Sequence, residues 1–439
     1  MATNFWALDP VRLTDMKLTS HPSSLRGAAR IPASKSHTIR GLLIATLARG
    51  RSELRNPLAS GDTESCLAAC EAFGATITRA ADCWIVDCAG APPRIPDDVI
   101  NTGNSGTTLY LAMGAAALID GATVFTGDYQ IRRRSAQHLL DALANLGAQA
   151  FSTRGNGCAP IVVRGPLRGG STRLHAPTSQ YLSSLLLACP LAQGDTEIEL
   201  ALLNEIPYVE MTLAWLAAQG VRVEHSADFK RFHIPGRQSY APFTRSIPAD
   251  FSSATFFLVA AAITGGDVTL HGLDMRDQQG DKAVVEMLRA MGARVETGAD
   301  FVRVNGGSLR GCELDLNATP DALPALAVAG CVAEGETRLV NVAHARGKET
   351  DRIAVMCNEL KKLGADIAER PDGLVIRHSA LRGGSVAGHD DHRVVMAMAV
   401  AGLRAAGPVI VDAAEAMRIT FPAFVDLMCA LGAAMEVTA

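Results

Sequence analysis

The stretch VVEMLRAMGA at residues 284–293 decides the fold, because the same kind of sequence recurs six times along the chain. In each copy an apolar, helix-like run ends in glycine and passes into a strand-like run, and the copies lie at 66–75, 139–148, 212–221, 284–293, 355–365 and 424–433. The glycines are separated by 73, 73, 72, 72 and 68 residues. Each stands where the end of a helix needs a residue in the left-handed conformation. This period predicts six copies of one structural unit.

A second series of glycines keeps the same period. An apolar helix is predicted to end, and a strand to follow, at Gly50, Gly121, Gly194, Gly266, Gly335 and Gly407. Each unit therefore holds two helices and several short strands. Because one hydrophobic core rarely grows beyond ~250–300 residues, the six α+β units are expected to divide three and three between two cores.

Composition excludes several classes of protein. The 439 residues carry 41 Lys+Arg against 45 Asp+Glu, a net charge of −4, so no large basic surface for nucleic acid is expected. The 48% of hydrophobic residues excludes disorder, and the apolar runs at 109–119 and 254–263 are too short to cross a membrane. Residues 1–10 have no signal-peptide pattern. We expect a cytoplasmic protein with no membrane or nucleic-acid partner.

The ten cysteines are scattered and form no C-x-x-C pair. They are expected to be buried thiols, Cys429 among them, and we predict no disulfide and no zinc site.

Polar clusters mark the start of the first helix in each unit. They lie at 34–36, 104–107, 178–180, 250–253, 320–321 and 391–393. Capping explains their Ser, Thr and Asp residues, but it does not require the cations Lys35, Arg40, Lys348, Arg352 and Arg393. Helix N-termini attract anions, so six of them meeting at one place would form an anion-binding chamber. The pattern predicts a two-domain enzyme that binds multiply anionic small molecules between its domains.

Several of these stretches resemble the motifs of the enolpyruvyl transferase family, along the whole chain. They are PASKS at 32–36 with Arg40, GNSGTT at 103–108, KETDR at 348–352, DHR at 391–393 and TFP at 420–422. The resemblance implies an α+β fold, a two-domain inside-out α/β barrel in which each domain has three βαβαββ units about a pseudo-threefold axis. One domain would comprise 1–31 plus 248–439 and the other, inserted, domain 32–247, with the active site in the cleft between them.

The resemblance also implies a reaction. The enolpyruvyl group of phosphoenolpyruvate would pass to the 5-hydroxyl of 3-phosphoshikimate by addition and elimination, through a tetrahedral ketal, with release of phosphate. No metal or organic cofactor is implied, and we expect a monomer. An enolpyruvyl transferase with another hydroxyl acceptor, such as a nucleotide, is the alternative. A noncatalytic ligand-binding scaffold would be favoured only if Lys35, Asp321 or the arginines were missing.

Carried over position by position, the resemblance implies three groups of site residues. Asp321 would be the general base toward the attacking hydroxyl, while Glu349 with Lys35 would move the proton at the methylene carbon. The residues implied to bind phosphoenolpyruvate are Lys35, Gly106, Arg134, Gln180, Arg352 and Arg393. Those implied to bind the acceptor are Lys35, Ser36, Arg40, Thr178, Ser179, Gln180, Asp321 and Lys348.

Four positions depart from the usual family pattern and bear mainly on the acceptor. Tyr110 stands where the family usually has an arginine, and Glu205 stands where it has a serine or an arginine. His344 replaces a frequent asparagine, and Ile419 replaces a frequent lysine. If the acceptor is phosphorylated, its phosphate is expected among Thr178, Ser179 and Lys348, with Glu205 turned away or held by an arginine. We also expect repulsion among the cations of the cleft to keep the domains apart until an anion binds.

Overall fold

Residues 16–439 are the part of the chain that the computed structural model describes, and they form twelve α-helices and six four-stranded sheets. The segment 1–10, expected to lack a signal peptide, lies outside the described residues. The helices are α1 (Lys35–Leu47), α2 (Gly61–Ala72), α3 (Gly106–Ala116), α4 (Gln137–Asn145), α5 (Ser179–Ala188), α6 (Ile206–Ala218), α7 (Phe251–Thr264), α8 (Val284–Ala290), α9 (Leu323–Val332), α10 (Arg352–Lys362), α11 (His392–Gly402) and α12 (Phe424–Ala430). The strands are β1 (Lys17–His21), β2 (Arg26–Arg30), β3 (Arg51–Arg55), β4 (Thr76–Arg79), β5 (Cys83–Asp87), β6 (Ile100–Asn101), β7 (Ala122–Thr126), β8 (Gln149–Ser152), β9 (Ile161–Arg164), β10 (Gly170–Ala176), β11 (Thr196–Leu203), β12 (Glu224–His225), β13 (Arg231–Ile234), β14 (Thr244–Ser246), β15 (Asp267–His271), β16 (Val295–Thr297), β17 (Phe301–Asn305), β18 (Glu313–Asp315), β19 (Glu336–Val340), β20 (Asp366–Arg370), β21 (Gly373–Arg377), β22 (Gly384–Val386), β23 (Val409–Val411) and β24 (Ala434–Thr438).

All six sheets share one topology, as the sequence period requires. A parallel pair of strands is extended on one side by two antiparallel strands, as in the order β10-β11-β13-β12. The glycines of the first series all have a positive φ, and they are Gly74, Gly147, Gly220, Gly292, Gly364 and Gly432. One boundary differs from expectation, because the strand predicted at 222–224 forms only at Glu224–His225.

The buried apolar residues separate into two hydrophobic cores. One core combines Leu18, Leu25 and Ile31 with residues between Ala249 and Ala433. The other runs from Ala33 to Ile247. We call the first set the discontinuous half (16–31 and 248–439) and the second the inserted half (32–247). The two cores support the proposal that these halves are domains.

The chain passes between the halves twice, and the two crossings lie side by side. Strand β2 pairs in parallel with β15 of the discontinuous half, and β14 pairs in parallel with β3 of the inserted half. Between them, Ala33 and Ala249 form an isolated antiparallel bridge. The backbone of Ser34 also donates to the carbonyl of Pro248 at 2.8 Å. The crossing segments therefore support each other.

The first helix of each unit lies inside its half, and the sheets lie outside. Helix α7, for example, buries twelve of its fourteen residues, which is typical of a helix surrounded by protein on all sides. Helices α1, α3 and α5 serve the inserted half in the same way, and α9 and α11 serve the discontinuous half.

Two smaller expectations can be compared with the structure. Cys429 is exposed, so its predicted burial is wrong, whereas Cys66, Cys70, Cys189, Cys331 and Cys357 are buried. Across residues 16–439, no helix combines the length and the apolarity that a bilayer crossing needs.

Candidate active site

A cleft of about 880 Å³ lies between the two halves. Nine of the predicted site residues line it, and they are Lys35, Gly106, Arg134, Thr178, Gln180, Asp321, Lys348, Glu349 and Arg393. The other four, Ser36, Arg40, Ser179 and Arg352, do not line it. Five of the six helix starts contribute to the cleft. The start of α7 does not, so the expected meeting of all six is wrong.

Side-chain caps fix most of these helix starts. Ser34, Ser105, Thr178 and Asp391 each accept a hydrogen bond from a backbone N–H in the first turn of their helix. This arrangement fixes the entry of the chain into the helix and leaves the remaining N–H groups of the first turn near the cleft.

Asp321 differs from these caps. It lies in a 3₁₀ turn, Pro320–Ala322, that precedes α9, and it does not cap that helix. Its carboxylate accepts from Arg352 Nη1 at 2.8 Å and from Arg393 Nη2 at 2.9 Å. Burial alone would raise the pKa of Asp321, but Arg393, Lys348 and Arg352 outweigh it and hold that pKa well below its ordinary value. Asp321 is therefore an ionised carboxylate at neutral pH.

Arg352 lies behind the wall of the cleft and is 1% exposed. Its guanidinium donates to Asp391 at 2.8 and 3.0 Å, to Asp321, and to Glu349. Three carboxylates thus surround this one cation. The arrangement suits Arg352 to positioning Asp321 and Glu349, and its direct contact with phosphoenolpyruvate stays a prediction.

Arg134 approaches Glu349 from the inserted half, with 3.0 Å between Nη2 and Oε1. Its buried Nε and Nη2 have no hydrogen-bond partner of acceptable geometry among residues 16–439. Burial would raise the pKa of Glu349, but Arg134 and Arg352 hold it well below its ordinary value. Arg134 is therefore a cation at the cleft with unused donors, which suits an incoming anion.

Lys35 pairs with Asp62, at 3.0 Å between Nζ and Oδ2. Sequence reasoning did not identify Asp62, although it also lines the cleft. Burial raises its pKa, and Lys35 opposes that shift. The only local signal was an acidic residue in the first turn of α2, which looks like an ordinary helix-dipole partner.

Arg40 is a buried residue of α1, and Ser36 is half-buried in the first turn of that helix. The Arg40 guanidinium donates to Thr212 Oγ1 at 2.8 Å, to Ser183 Oγ at 3.3 Å and to two backbone carbonyls. Burial lowers the pKa of Arg40 to about 10, so it remains charged at neutral pH. The structure does not bring Arg40 to the cleft wall, and its contact with the acceptor stays a prediction.

Glu205 pairs with a lysine rather than with an arginine, and the expectation that it turns away from a bound phosphate stays a prediction. Its carboxylate accepts hydrogen bonds from Thr178, Ser179 and Lys348, the three residues expected to hold the acceptor's phosphate. Of the other departures, Tyr110 lines the cleft and packs edge-to-face on Tyr181, with ring centroids 5.1 Å apart. His344 also lines the cleft.

Further contacts join the two halves across the cleft. The hydroxyl of Tyr129 donates to Asp390, and the Gln130 amide donates to the carbonyl of Asp390 at 3.3 Å. Sequence analysis missed these residues, because a polar residue in a loop carries no signal for a partner about 260 positions away. Asn204 and Asn317 make a similar contact at 3.0 Å.

Carboxylates offset the expected repulsion among the cleft cations, and the expectation that this repulsion keeps the domains apart until an anion binds stays a prediction. Lys35 pairs with Asp62, Arg134 with Glu349 and Arg393 with Asp321, while Arg352 has its three carboxylates. Carboxylates from the chain itself therefore offset the charges of these four cations.

The fold and the cleft together define the class of protein: six copies of one unit in two halves, with a cleft between the halves that cations and carboxylates line. The family model of EPSP synthase (3-phosphoshikimate 1-carboxyvinyltransferase) matches residues 19–428. The chain is 53% identical to the 3-phosphoshikimate 1-carboxyvinyltransferase of Ruminiclostridium cellulolyticum, over 96% of this chain and 100% of that one. It is 54% identical to the enzyme of the same name from Acetivibrio thermocellus, over 95% and 99% of the two chains. The EPSP synthase structure from Acinetobacter baumannii superimposes with a TM-score of 0.81 at 28% identity, covering 97% of this chain and 100% of that one. The chain belongs to the EPSP synthase family, and the predicted fold class is confirmed.

Proposed function

We propose that this enzyme transfers the enolpyruvyl group of phosphoenolpyruvate to the 5-hydroxyl of 3-phosphoshikimate and releases phosphate. The observation that carries the proposal is the bridge through Arg352, which holds the carboxylates of Asp321 and Glu349 at one cleft. Both carboxylates are ionised, and the cations Lys35, Arg134 and Arg393 lie beside them. An addition and elimination needs such groups to accept and deliver protons around a bound anion.

The addition step follows from these charges. Asp321 takes the proton of the acceptor hydroxyl as its oxygen bonds to C2 of phosphoenolpyruvate. Glu349 is ionised and cannot supply a proton, so the ammonium group of Lys35 protonates the methylene carbon, C3. The product is a tetrahedral ketal, and the negative charge of its carboxylate and phosphate meets Arg134 and Arg393.

Elimination reverses the proton movements at carbon. The bond from C2 to the phosphate oxygen breaks, and the phosphate takes the proton held by Asp321. Glu349 accepts a proton from the methyl group as the enol ether forms, and transfer of that proton to Lys35 restores the starting state. In this sequence Arg352 positions both carboxylates.

The test is direct. The purified enzyme is incubated with phosphoenolpyruvate and 3-phosphoshikimate, and phosphate release is followed together with the enol ether product by NMR. Equal amounts of both products are expected. Absence of the enol ether, under conditions in which phosphoenolpyruvate binding is measured, contradicts the proposal.

We further propose that the enzyme acts as a monomer in the cytoplasm. One chain supplies both walls of the cleft, and its buried free thiols suit a reducing compartment. Sedimentation equilibrium at the enzyme's working concentration checks the first point, and fractionation of cells checks the second.

A further inference from the structure

Glu205 lies at the N-terminus of α6 in an unusual backbone conformation. Its φ and ψ of 59° and 43° are left-handed, which few residues other than glycine, asparagine and aspartate adopt readily. The side chain is nevertheless almost fully buried, with 2% of the residue exposed. A strained and buried glutamate persists only where its contacts hold it in place.

Four donors converge on this carboxylate. Oε2 accepts from Thr178 Oγ1 at 3.1 Å, from the Ser179 backbone N–H at 3.0 Å and from Ser179 Oγ at 2.8 Å. Oε1 accepts from Lys348 Nζ, which belongs to the other half of the molecule. We call these four donors the anion cradle. It combines the first turn of α5 with an ammonium group, an arrangement suited to any small oxyanion.

Glu205 and Lys348 are both charged while the Glu205 carboxylate lies in the anion cradle. Burial would raise the pKa of Glu205, but Lys348 and His344 outweigh it and hold that pKa below its ordinary value. Burial would lower the pKa of Lys348, but Glu205 and Asp321 raise it. An ionised carboxylate therefore faces a charged ammonium, and protonation near neutral pH does not vacate the cradle.

We propose that the Glu205 carboxylate competes with the phosphate of the acceptor for the donors of the anion cradle. This inference rests on the proposed function, in which the phosphate of 3-phosphoshikimate binds to these same donors. A carboxylate and a phosphate cannot accept from the same N–H and hydroxyl groups at once, and their like charges repel at this range. Glu205 must therefore leave the cradle when the phosphorylated acceptor binds.

The competition has two consequences. The apparent dissociation constant of the acceptor equals its intrinsic value divided by the fraction of molecules whose cradle is open. Removing the carboxylate should therefore tighten binding of a phosphorylated acceptor and leave an unphosphorylated analogue largely unaffected. Glu205 also makes the cradle selective, because an anion must displace the tethered carboxylate before it can bind these four donors.

The experiment measures binding by calorimetry in phosphate-free buffer, with 3-phosphoshikimate and with shikimate as ligands. Glu205→Ser removes the carboxylate, and Glu205→Gln removes its charge while keeping its size. If the cradle is open in about a tenth of wild-type molecules or fewer, Glu205→Ser binds 3-phosphoshikimate at least about tenfold more tightly. Glu205→Gln should show a smaller gain in the same direction, and the affinity for shikimate should change less than about twofold in both.

Asp277→Asn is the matched control. Asp277 is another carboxylate that joins the halves, through His37 Nε2 at 3.2 Å, but it does not line the cleft. It should give no gain in affinity for 3-phosphoshikimate. Circular dichroism checks that each variant is folded, and Glu205→Gln keeps the test valid if Glu205→Ser is unstable.

The outcomes separate this inference from the proposed function. Unchanged or weaker binding of 3-phosphoshikimate by folded Glu205 variants overturns the inference, even if the wild type makes the enol ether. An equal gain in Asp277→Asn also overturns it, because the effect would then come from loosening the halves. Tighter binding by the Glu205 variants, with no enol ether from any of the proteins, supports the inference and contradicts the proposed function.

Discussion

Gly106 lies so close to Arg134 that a Cβ atom on Gly106 would be 2.7 Å from the guanidinium Nη1. No side chain fits there unless the arginine moves. Glycine at the start of α3 therefore lets Arg134 reach the first turn of the helix, where both the guanidinium and the helix N-terminus face the cleft.

Replacing Gly106 with alanine should weaken phosphoenolpyruvate binding. The methyl group displaces Arg134, and overpacking of this kind costs about 1–3 kcal/mol, which corresponds to a KM roughly 5- to 140-fold higher. Steady-state kinetics at saturating acceptor measure the effect. Gly347→Ala is the control, because a Cβ at Gly347 meets no atom within 4 Å although this glycine lines the same cleft. An unchanged KM in Gly106→Ala contradicts the assigned position of the anion.

Lys35→Met and Arg393→Gln should each lower turnover by more than about tenfold and leave the fold intact. Each change removes a charged donor from the cleft, and a hydrogen bond to a charged group is worth about 1.5–3 kcal/mol. Turnover is measured with both substrates saturating. Lys230→Met, which removes an exposed lysine from the surface, should retain full activity. Wild-type turnover in either cleft variant would refute this assignment.

Tyr129→Phe should loosen the closed cleft. The variant loses the hydrogen bond from Tyr129 to Asp390, a contact that forms only when the halves approach each other. Solution X-ray scattering should show a larger radius of gyration than that of the wild type, and KM should rise for both substrates. Tyr240→Phe removes a hydroxyl that donates to Leu187 within one half, at 2.8 Å, so it should leave the radius unchanged. Equal radii of gyration for Tyr129→Phe and the wild type would show that the hydrogen bond from Tyr129 to Asp390 does not hold the cleft closed.

Asp281→Asn should stabilise the protein at neutral pH. Burial, and then the charge of Asp321, raises the pKa of Asp281 from 3.8 to about 6 in the folded state. A raised carboxyl pKa means that ionisation costs folding free energy, so this stability falls as pH rises from about 4 to 6 and stays low above. Asparagine avoids the cost and can still accept from Tyr208, which now donates to Asp281 at 3.1 Å.

The measurement is the melting temperature at two pH values. At pH 7.5 Asp281→Asn should melt at least about 2 °C above the wild type, and the advantage should shrink at pH 5. Asp267→Asn is expected to give no such gain, since the hydrogen bond from Arg303 lowers the pKa of that exposed carboxyl. A lower melting temperature for Asp281→Asn at pH 7.5 would show that its charge stabilises the fold.

Much of the fold could be predicted from the sequence because its signals are local and repeated. Glycine in the left-handed conformation, apolar helix faces and capping residues act over a few positions, and six copies reinforce one another. The start of α9 shows the limit of this reasoning. Pro320 and Asp321 look like a cap, but the 3₁₀ turn frees the Asp321 carboxylate to meet Arg352 and Arg393.

The candidate site was predictable in residue type more than in arrangement. Lys35, Arg134, Lys348 and Arg393 were identified as cations for an anion, and all four line the cleft. Their partners within the chain were not identified, because carboxylates such as Asp62 carry no sequence pattern that points to a distant cation.

The sequence by itself determined the sixfold unit and the cations at the helix starts, because each depends on residues close together in the chain. It also indicated two apolar cores, because six units exceed the size of one core. Only the tertiary structure decided which charges meet. Glu205 and Lys348 are 143 positions apart and lie in different halves, yet one carboxylate now fills the anion cradle. Such a pairing depends on how two independently formed cores approach each other, and no local propensity encodes that geometry.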